Sequence, residues 1–229
     1  MKNIAIIPAR GGSKRIPRKN IKPFMGKPIL AYSIEAALES GLFSEVMVST
    51  DDEEIAEIAR HYGAKIPFMR SIETANDFAG TDDVILEVLK MYKARGEEFD
   101  TLCCIYSTAP FVTAQKLLKA YTKLNSEINS VFTCVAYSYP VQRSLHIVDG
   151  KIEMVCPEYF DARSQDLETI YHDAGQFYIA TVDSYLKEKK LWGTHTAGFV
   201  LSEMEVQDLD TLTDWQVAEM KYNLLHKIS

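Results

Sequence analysis

The sequence predicts an α/β fold, one mostly parallel sheet with helices on both faces, and three observations lead there. Short apolar, β-branched runs recur along the 229 residues. Stretches with apolar residues at helical spacing separate those runs, and no linker, internal repeat or low-complexity segment divides the chain. A chain of this length buries a substantial core as one unit, so 1–229 is expected to be a single domain.

The elements follow in order. Ile4-Ala5-Ile6-Ile7 is a first strand that empties into Pro8-Ala9-Arg10-Gly11-Gly12-Ser13. Pro28 suits a first helical turn; Leu30, Ile34, Ala37 and Leu38 then share one face, and Gly41 ends the helix. Val46-Met47-Val48 is the next strand. Asp51 can cap a helix that buries Ile55, Ile58, Ala59 and Tyr62 and stops at Gly63. Ile85, Val88, Leu89 and Tyr92 mark another helix, Leu102 to Tyr106 a strand, Leu117, Ala120, Tyr121 and Leu124 a helix, and Ser130 to Ala136 a strand. From 137 to 171 the alternation breaks, and Asp149-Gly150 between two apolar runs signals a β-hairpin, so this stretch reads as an exposed insertion. The chain returns through a strand at Gln176–Ala180 and ends in a helix with Val217, Met220, Lys221 and Leu224 on one side.

Composition narrows the function. A net charge of -7 and a pI near 5.3 argue against general nucleic-acid binding, which needs a broad basic surface. Cys103, Cys104, Cys134 and Cys156 form no Cys-x-x-Cys pair and fit free thiols in a reducing cytosol. The N-terminal apolar run is too short for a membrane span, so a cytoplasmic protein is expected. His61, His146, His195 and His226 are scattered without zinc-ligand spacing.

Against the acidic average, the first loop is locally basic. Arg10, Lys14, Arg15, Arg18 and Lys19 surround Gly11-Gly12, whose backbone can approach a ligand closely and offer N–H groups to phosphate oxygens. Five cations in one turn repel one another, which a bound polyanion such as a nucleoside triphosphate relieves. A charge run alone reads equally well as a solvated face; the glycines and the preceding strand weigh toward the ligand. The loop is neither a P-loop nor a dinucleotide fingerprint. Nor is there an Asp-x-Asp after the first strand, as a phosphatase of that kind would carry, since Pro8-Ala9-Arg10 stands there. Near the end, Asp208 and Asp210 are two apart in an extended segment, which places both carboxylates on one face. That pair reads either as a helix-start cluster or as ligands for a divalent cation beside a triphosphate.

The string Ile7-Pro8-Ala9-Arg10-Gly11-Gly12-Ser13-Lys14-Arg15-Ile16-Pro17-Arg18-Lys19-Asn20-Ile21 closely resembles the N-terminal signature of the sugar-acid cytidylyltransferases, enzymes that join CTP to sialic acid and its relatives. Gly26-Lys27-Pro28-Ile29, Val48-Ser49-Thr50-Asp51-Asp52 and Pro67-Phe68-Met69-Arg70 before Asn76-Asp77 extend the match over nearly the whole chain. The resemblance implies a Rossmann-like sheet of the nucleotidyltransferase, glycosyltransferase-A-like kind, with 137–171 as a dimerisation arm and hence a homodimer. It implies that Arg10, Ser13, Lys19 and Asn20, with the backbone of Gly11 and Gly12, bind the triphosphate, while Arg70, Asp77 and Thr81 frame cytosine and ribose. It also makes Asp208 and Asp210 ligands of Mg²⁺. The reaction is attack of the anomeric hydroxyl of a nonulosonic acid on the α-phosphorus of CTP, expelling pyrophosphate. Lys19, Arg10 and the metal would neutralise charge; no residue stands out as general base, and deprotonation is left to a metal-bound or a carboxylate-assisted route involving Asp208 or Asp210.

Departures within the family bear on the sugar. Tyr106-Ser107-Thr108-Ala109-Pro110 stands where the sialic-acid enzymes carry Gln-Pro-Thr-Ser-Pro, and a phenol cannot reproduce an amide's paired donor and acceptor. Tyr171-His172-Asp173-Ala174-Gly175-Gln176-Phe177-Tyr178, with Arg163-Ser164-Gln165-Asp166-Leu167, resembles instead the branch that uses pseudaminic acid, a doubly deoxygenated, doubly N-acylated relative. Tyr106, Thr108, Arg163, His172, Asp173 and Gln176 are therefore the expected sugar contacts, with Phe160, Tyr171 and Phe177 as aromatic neighbours or core. The alternatives are an enzyme for sialic or another nonulosonic acid, and a non-catalytic nucleotide-binding protein.

Overall fold

The computed structural model describes residues 2–76 and 78–226. Strand β1 (Asn3–Pro8) runs through the interior, with Ile4 to Ile7 fully buried. After the basic loop comes a 3₁₀ turn at Lys19–Ile21, then a small ribbon of β2 (Pro23–Phe24) and β3 (Lys27–Pro28). Helix α1 (Ile29–Ser40) follows Pro28 and stops at Gly41, whose left-handed φ of 63° lets its N–H reach the Leu38 carbonyl. Leu30, Ile34 and Ala37 are buried as the periodicity predicts, but Leu38 is exposed.

Strand β4 (Glu45–Ser49) leads into α2 (Glu53–His61). The cap there is Asp52 rather than Asp51, since the Asp52 carboxylate accepts from the Ile55 N–H at 3.1 Å. A short α3 (Ile72–Ala75) precedes α4 (Thr81–Ala94), which buries Ile85, Val88, Leu89 and Tyr92 as expected. Next come β5 (Thr101–Ile105), α5 (Ala114–Tyr121) and β6 (Ser130–Ala136); α5 ends before Leu124, which packs from the following turn.

The insertion holds the hairpin of β7 (Leu145–Val148) and β8 (Lys151–Met154), turning at Asp149-Gly150. Strand β9 (Tyr171–Thr181) is longer than Gln176–Ala180 and is followed by α6 (Val182–Glu188), β10 (Thr196–Leu201) and α7 (Leu212–His226).

The six long strands form one sheet in the order β10-β6-β9-β5-β1-β4. β9 runs antiparallel to both neighbours, and the other pairs are parallel. Alternating side chains send Ala5, Ile7, Cys103, Ile105, Phe177 and Ile179 to one face, where α1, α2 and α5 cover them. Ile4, Ile6, Leu102, Cys104 and Tyr178 go to the other, beneath α4 and Tyr185 of α6. A third cluster gathers Phe24, Tyr32, Trp215 and Tyr222 edge to face at 5.4–5.6 Å, and it anchors α7. The buried side of α7 is thus Trp215 and Ala218; Met220 and Leu224 are exposed, because the helix packs on the β2–β3 ribbon through aromatic side chains that aliphatic counting overlooks. Cys103, Cys104, Cys134 and Cys156 are free, the first three buried. Among the described residues no helix is long and apolar enough to cross a membrane.

Candidate active site

The carboxyl ends of parallel strands leave a crevice where successive loops diverge, and ligands gather there. Here the loops after β1 and β5, with the stretch from Arg70 to Val84, enclose a cleft of about 280 Å³ lined by Arg10, Ser13, Lys14, Arg15, Lys19, Asn20, Arg70, Thr81, Tyr106, Ser107 and Thr108 among others. Residues expected for triphosphate, base and sugar therefore meet in one place.

Hydrogen bonds hold the walls. Asn20 donates through Nδ2 to the Arg10 carbonyl at 2.8 Å, and its Oδ1 accepts from Ser107 Oγ at 2.8 Å, tying the basic loop to the loop after β5. Arg10 donates to the Asn76 carbonyl at 3.1 Å. Arg70 is buried and donates to Ser49 Oγ at 3.1 Å and to the Ser49 carbonyl at 2.6 Å. Burial pushes its guanidinium below its ordinary value, while the nearby Asp51 works in the opposite direction. Asp77, expected beside Arg70 and Thr81, lies outside the described residues.

Lys19 reaches furthest. Its Nζ donates to the Leu209 carbonyl at 2.9 Å, joining residues 190 apart in sequence. Burial lowers its pKa, and Asp210 and Asp208 oppose that shift. The two aspartates do not lie in a strand: the segment before α7 is irregular, with Leu209 buried between them. The Asp210 carboxylate is paired with Arg15 at 2.5 Å. Two hard oxygen donors beside a cationic phosphate-sized cleft fit a divalent cation that completes its shell from phosphate and water. Among the described residues no cluster of three or more His, Cys, Asp or Glu offers an all-protein cage.

The basic cluster is more divided than its charge count implies. Arg18 turns from the cleft to grip Asp52 and Glu54, and Arg15 is engaged by Asp210. The two glycines also differ: the Gly11 N–H is taken by the Asp51 carboxylate at 2.9 Å, whereas a Cβ on Gly12 would meet nothing within 4 Å.

A second hollow of about 660 Å³ shares Thr81 and Tyr106 with the cleft and adds Asp82, Asp173, Tyr178, Lys190 and Trp192. Tyr178 donates to Asp173 at 2.6 Å, Tyr106 and Tyr178 pack at 5.4 Å, and Trp192 stacks on Phe132 at 5.3 Å. Burial raises the Tyr106, Tyr178 and Asp82 pKa values, keeping the phenols protonated as donors.

Three expected sugar contacts are not brought into this space. Gln176 is buried and donates to the Glu205 carbonyl, because a register shift between Phe132 and Cys134 displaces β9 locally. His172 packs against Tyr137 at 4.7 Å, and Arg163 is exposed on the insertion. Phe177 belongs to the core, and Phe160 and Tyr171 are exposed. The aromatic residues that do line the hollow include Trp192, which lies after α6 in a stretch without periodic pattern, and Tyr178, whose alternation with core residues reads as a plain strand.

A family model described as Cytidylyltransferase matches residues 4–202. The pseudaminic acid cytidylyltransferase of Campylobacter jejuni is 42% identical over 229 residues, covering 99% of each chain. The CMP-N,N'-diacetyllegionaminic acid synthase of Legionella pneumophila is 33% identical, covering 96% of this chain and 95% of that protein. Among solved structures, a CMP:2-keto-3-deoxy-manno-octonic acid synthetase complexed with CTP superposes with a TM-score of 0.70 at 18% identity over 100% of both chains, a likeness of fold.

Proposed function

The chain belongs to the cytidylyltransferase family, and from that premise we propose that it joins CTP to pseudaminic acid, releasing pyrophosphate and forming CMP-pseudaminic acid. The observation that carries this reading is the 42% identity along 99% of both chains with a protein of that named activity. The basic cleft supports it independently, since its size and charge suit a nucleoside triphosphate.

In this reading the triphosphate lies along the basic loop, with Arg10, Ser13, Lys19 and Asn20 beside it and Arg70 and Thr81 at the nucleoside end. The sugar acid occupies the adjoining hollow, so Thr81 and Tyr106 stand where the two substrates meet. Its anomeric hydroxyl attacks the α-phosphorus, the new O–P bond forms as the bond to pyrophosphate breaks, and the hydroxyl proton is released to solvent with the Asp208 or Asp210 carboxylate assisting. Lys19 and Arg10 hold the charge that accumulates on the departing pyrophosphate. Positioning and charge neutralisation supply the acceleration, as is general for transfer at phosphorus. Asp208 and Asp210 would hold Mg²⁺, which when bound would supply Lewis-acid neutralisation of the phosphates.

The enzyme works as a homodimer through 137–171. On one face of the hairpin, Leu145 lies opposite Met154 and Ile147 opposite Ile152, with Ile147 77% exposed; a lone two-stranded ribbon is marginal in water and gains stability when that face is covered. Four free thiols support a reducing, cytoplasmic setting.

The test is pyrophosphate release from CTP and Mg²⁺ with pseudaminic acid, with N-acetylneuraminic acid and without sugar. Release with pseudaminic acid alone is expected. Release only with N-acetylneuraminic acid overturns the sugar assignment, and CTP binding without release favours a nucleotide-binding protein.

A further inference from the structure

Arg18 sits immediately before Lys19 and is the residue of the basic loop that leaves the cleft. Its backbone is left-handed, at φ 55° and ψ 30°, a region that an arginine enters at a cost and that favours Gly or Asn. Its guanidinium is forked onto Asp52, with Nη2 at 3.0 Å from Oδ1 and Nη1 on Oδ2, and Nη2 also meets Glu54. Asp52 has a second duty as the cap of α2. Its carboxylate further abuts Gly11, where an added Cβ would lie 2.7 Å from Asp52 Oδ2. The neighbouring Asp51 accepts the Gly11 N–H. The β4–α2 turn thus grips the basic loop at both ends, at Gly11 and at Arg18.

An exposed ion pair by itself contributes little. Here the fork is two-pronged, the Asp52 side chain is only 22% exposed, and the strained φ at Arg18 persists because its surroundings over-determine it. The structural consequence falls on the next residue, since Arg18 caps the 3₁₀ turn that presents Lys19 and Asn20 to the cleft.

We propose that Arg18 and Asp52 are positioning residues, a clasp that fixes the span between Gly11 and Lys19 so that Lys19 and the loop N–H groups meet the triphosphate. The clasp touches no substrate; it acts through Lys19 and Gly11. This rests on CTP being the nucleotide substrate.

Two variants separate the clasp from the other roles of its members. Arg18→Gly removes the guanidinium while accommodating the left-handed backbone, and Asp52→Asn removes the charge while retaining an oxygen to cap the Ile55 N–H. Affinity for CTP and for cytidine is measured by calorimetry on the wild type, each single variant and the double variant. The expected result is a loss for CTP on the order of tenfold in each single variant, cytidine unchanged, and a double variant no weaker than the weaker single one. Unchanged CTP affinity in both single variants overturns the clasp, as do equal losses for CTP and cytidine or additive losses in the double variant. A wild type that fails to bind CTP overturns the substrate reading instead, so the two failures are distinguishable.

Discussion

Replacing Lys19 with methionine tests the site at its most connected point. The substitution keeps an unbranched side chain of similar reach and deletes one cation. In the ground state, the loss is the 2.9 Å charge-assisted bond to the Leu209 carbonyl, worth about 1.5–3 kcal/mol. Because burial already lowers the Lys19 pKa, removing the ammonium also relieves a desolvation cost, so the net change in folding is small. For a chain of this size, about 1 kcal/mol moves Tm by roughly 2–4 °C. In the transition state of the proposed reaction, the loss is a cationic donor to the departing pyrophosphate, worth roughly 10²–10³ in kcat. Pyrophosphate release at saturating substrates and a thermal melt therefore give opposite readouts, a large fall in turnover with little change in Tm. Turnover within about threefold of wild type would refute the assignment of Lys19 to catalysis, because that corresponds to well under 1 kcal/mol of barrier. A large Tm drop with proportionate loss of activity would make Lys19 a structural strut between the loop and Leu209.

Four further outcomes are expected. Gly11→Ala places a Cβ 2.7 Å from Asp52 Oδ2 and 3.0 Å from its Cβ, so the loop shifts and KM for CTP rises on the order of tenfold in steady-state kinetics. Asp210→Asn weakens the cation site, so titrating Mg²⁺ against activity gives a higher half-saturating concentration and lower turnover; full activity at unchanged Mg²⁺ would remove Asp210 from the mechanism. The Arg18 hydrogen bonds hold the Asp52 carboxyl below its ordinary value, so its contribution to stability is present above the unfolded pKa of 3.8 and is lost as pH falls through the lower folded value. Asp52→Asn therefore flattens the acid limb of a plot of stability against pH. Finally, Ile147→Asp with Ile152→Asp charges the exposed face of the hairpin, and light scattering is expected to show a dimer for the wild type and a monomer for the variant.

Much of the fold was legible because hydrophobic periodicity reports burial directly. The strands β1, β4, β5 and β6 and the helices α1, α2 and α4 came from runs whose side chains the sheet and its covering helices bury. The helix at the end of the chain was legible, but which of its sides is buried was not: α7 is held by Trp215 and Tyr222 against Phe24 and Tyr32, contacts between rings distant in sequence, while Met220 and Leu224 are exposed. Asp51 and Asp52 are equally good caps by type; the turn geometry gives the cap to Asp52 and the Gly11 N–H to Asp51.

By itself the sequence determined the alternation of strands and helices, the glycine-bearing basic loop after β1 and the identity of the groups available to a triphosphate and a cation, because these depend on residue type and local spacing. Tertiary structure alone decided how those charges are divided: Arg18 to Asp52 and Glu54, Arg15 to Asp210, Lys19 to the Leu209 carbonyl. It also decided that β9 enters the sheet antiparallel with a register shift, which turns Gln176 toward Glu205 while Asp173 and Tyr178 face the hollow beside Tyr106. The physical reason is that side-chain pairing and strand register are settled between residues far apart in the chain, where the competition among partners depends on distances that no local pattern encodes.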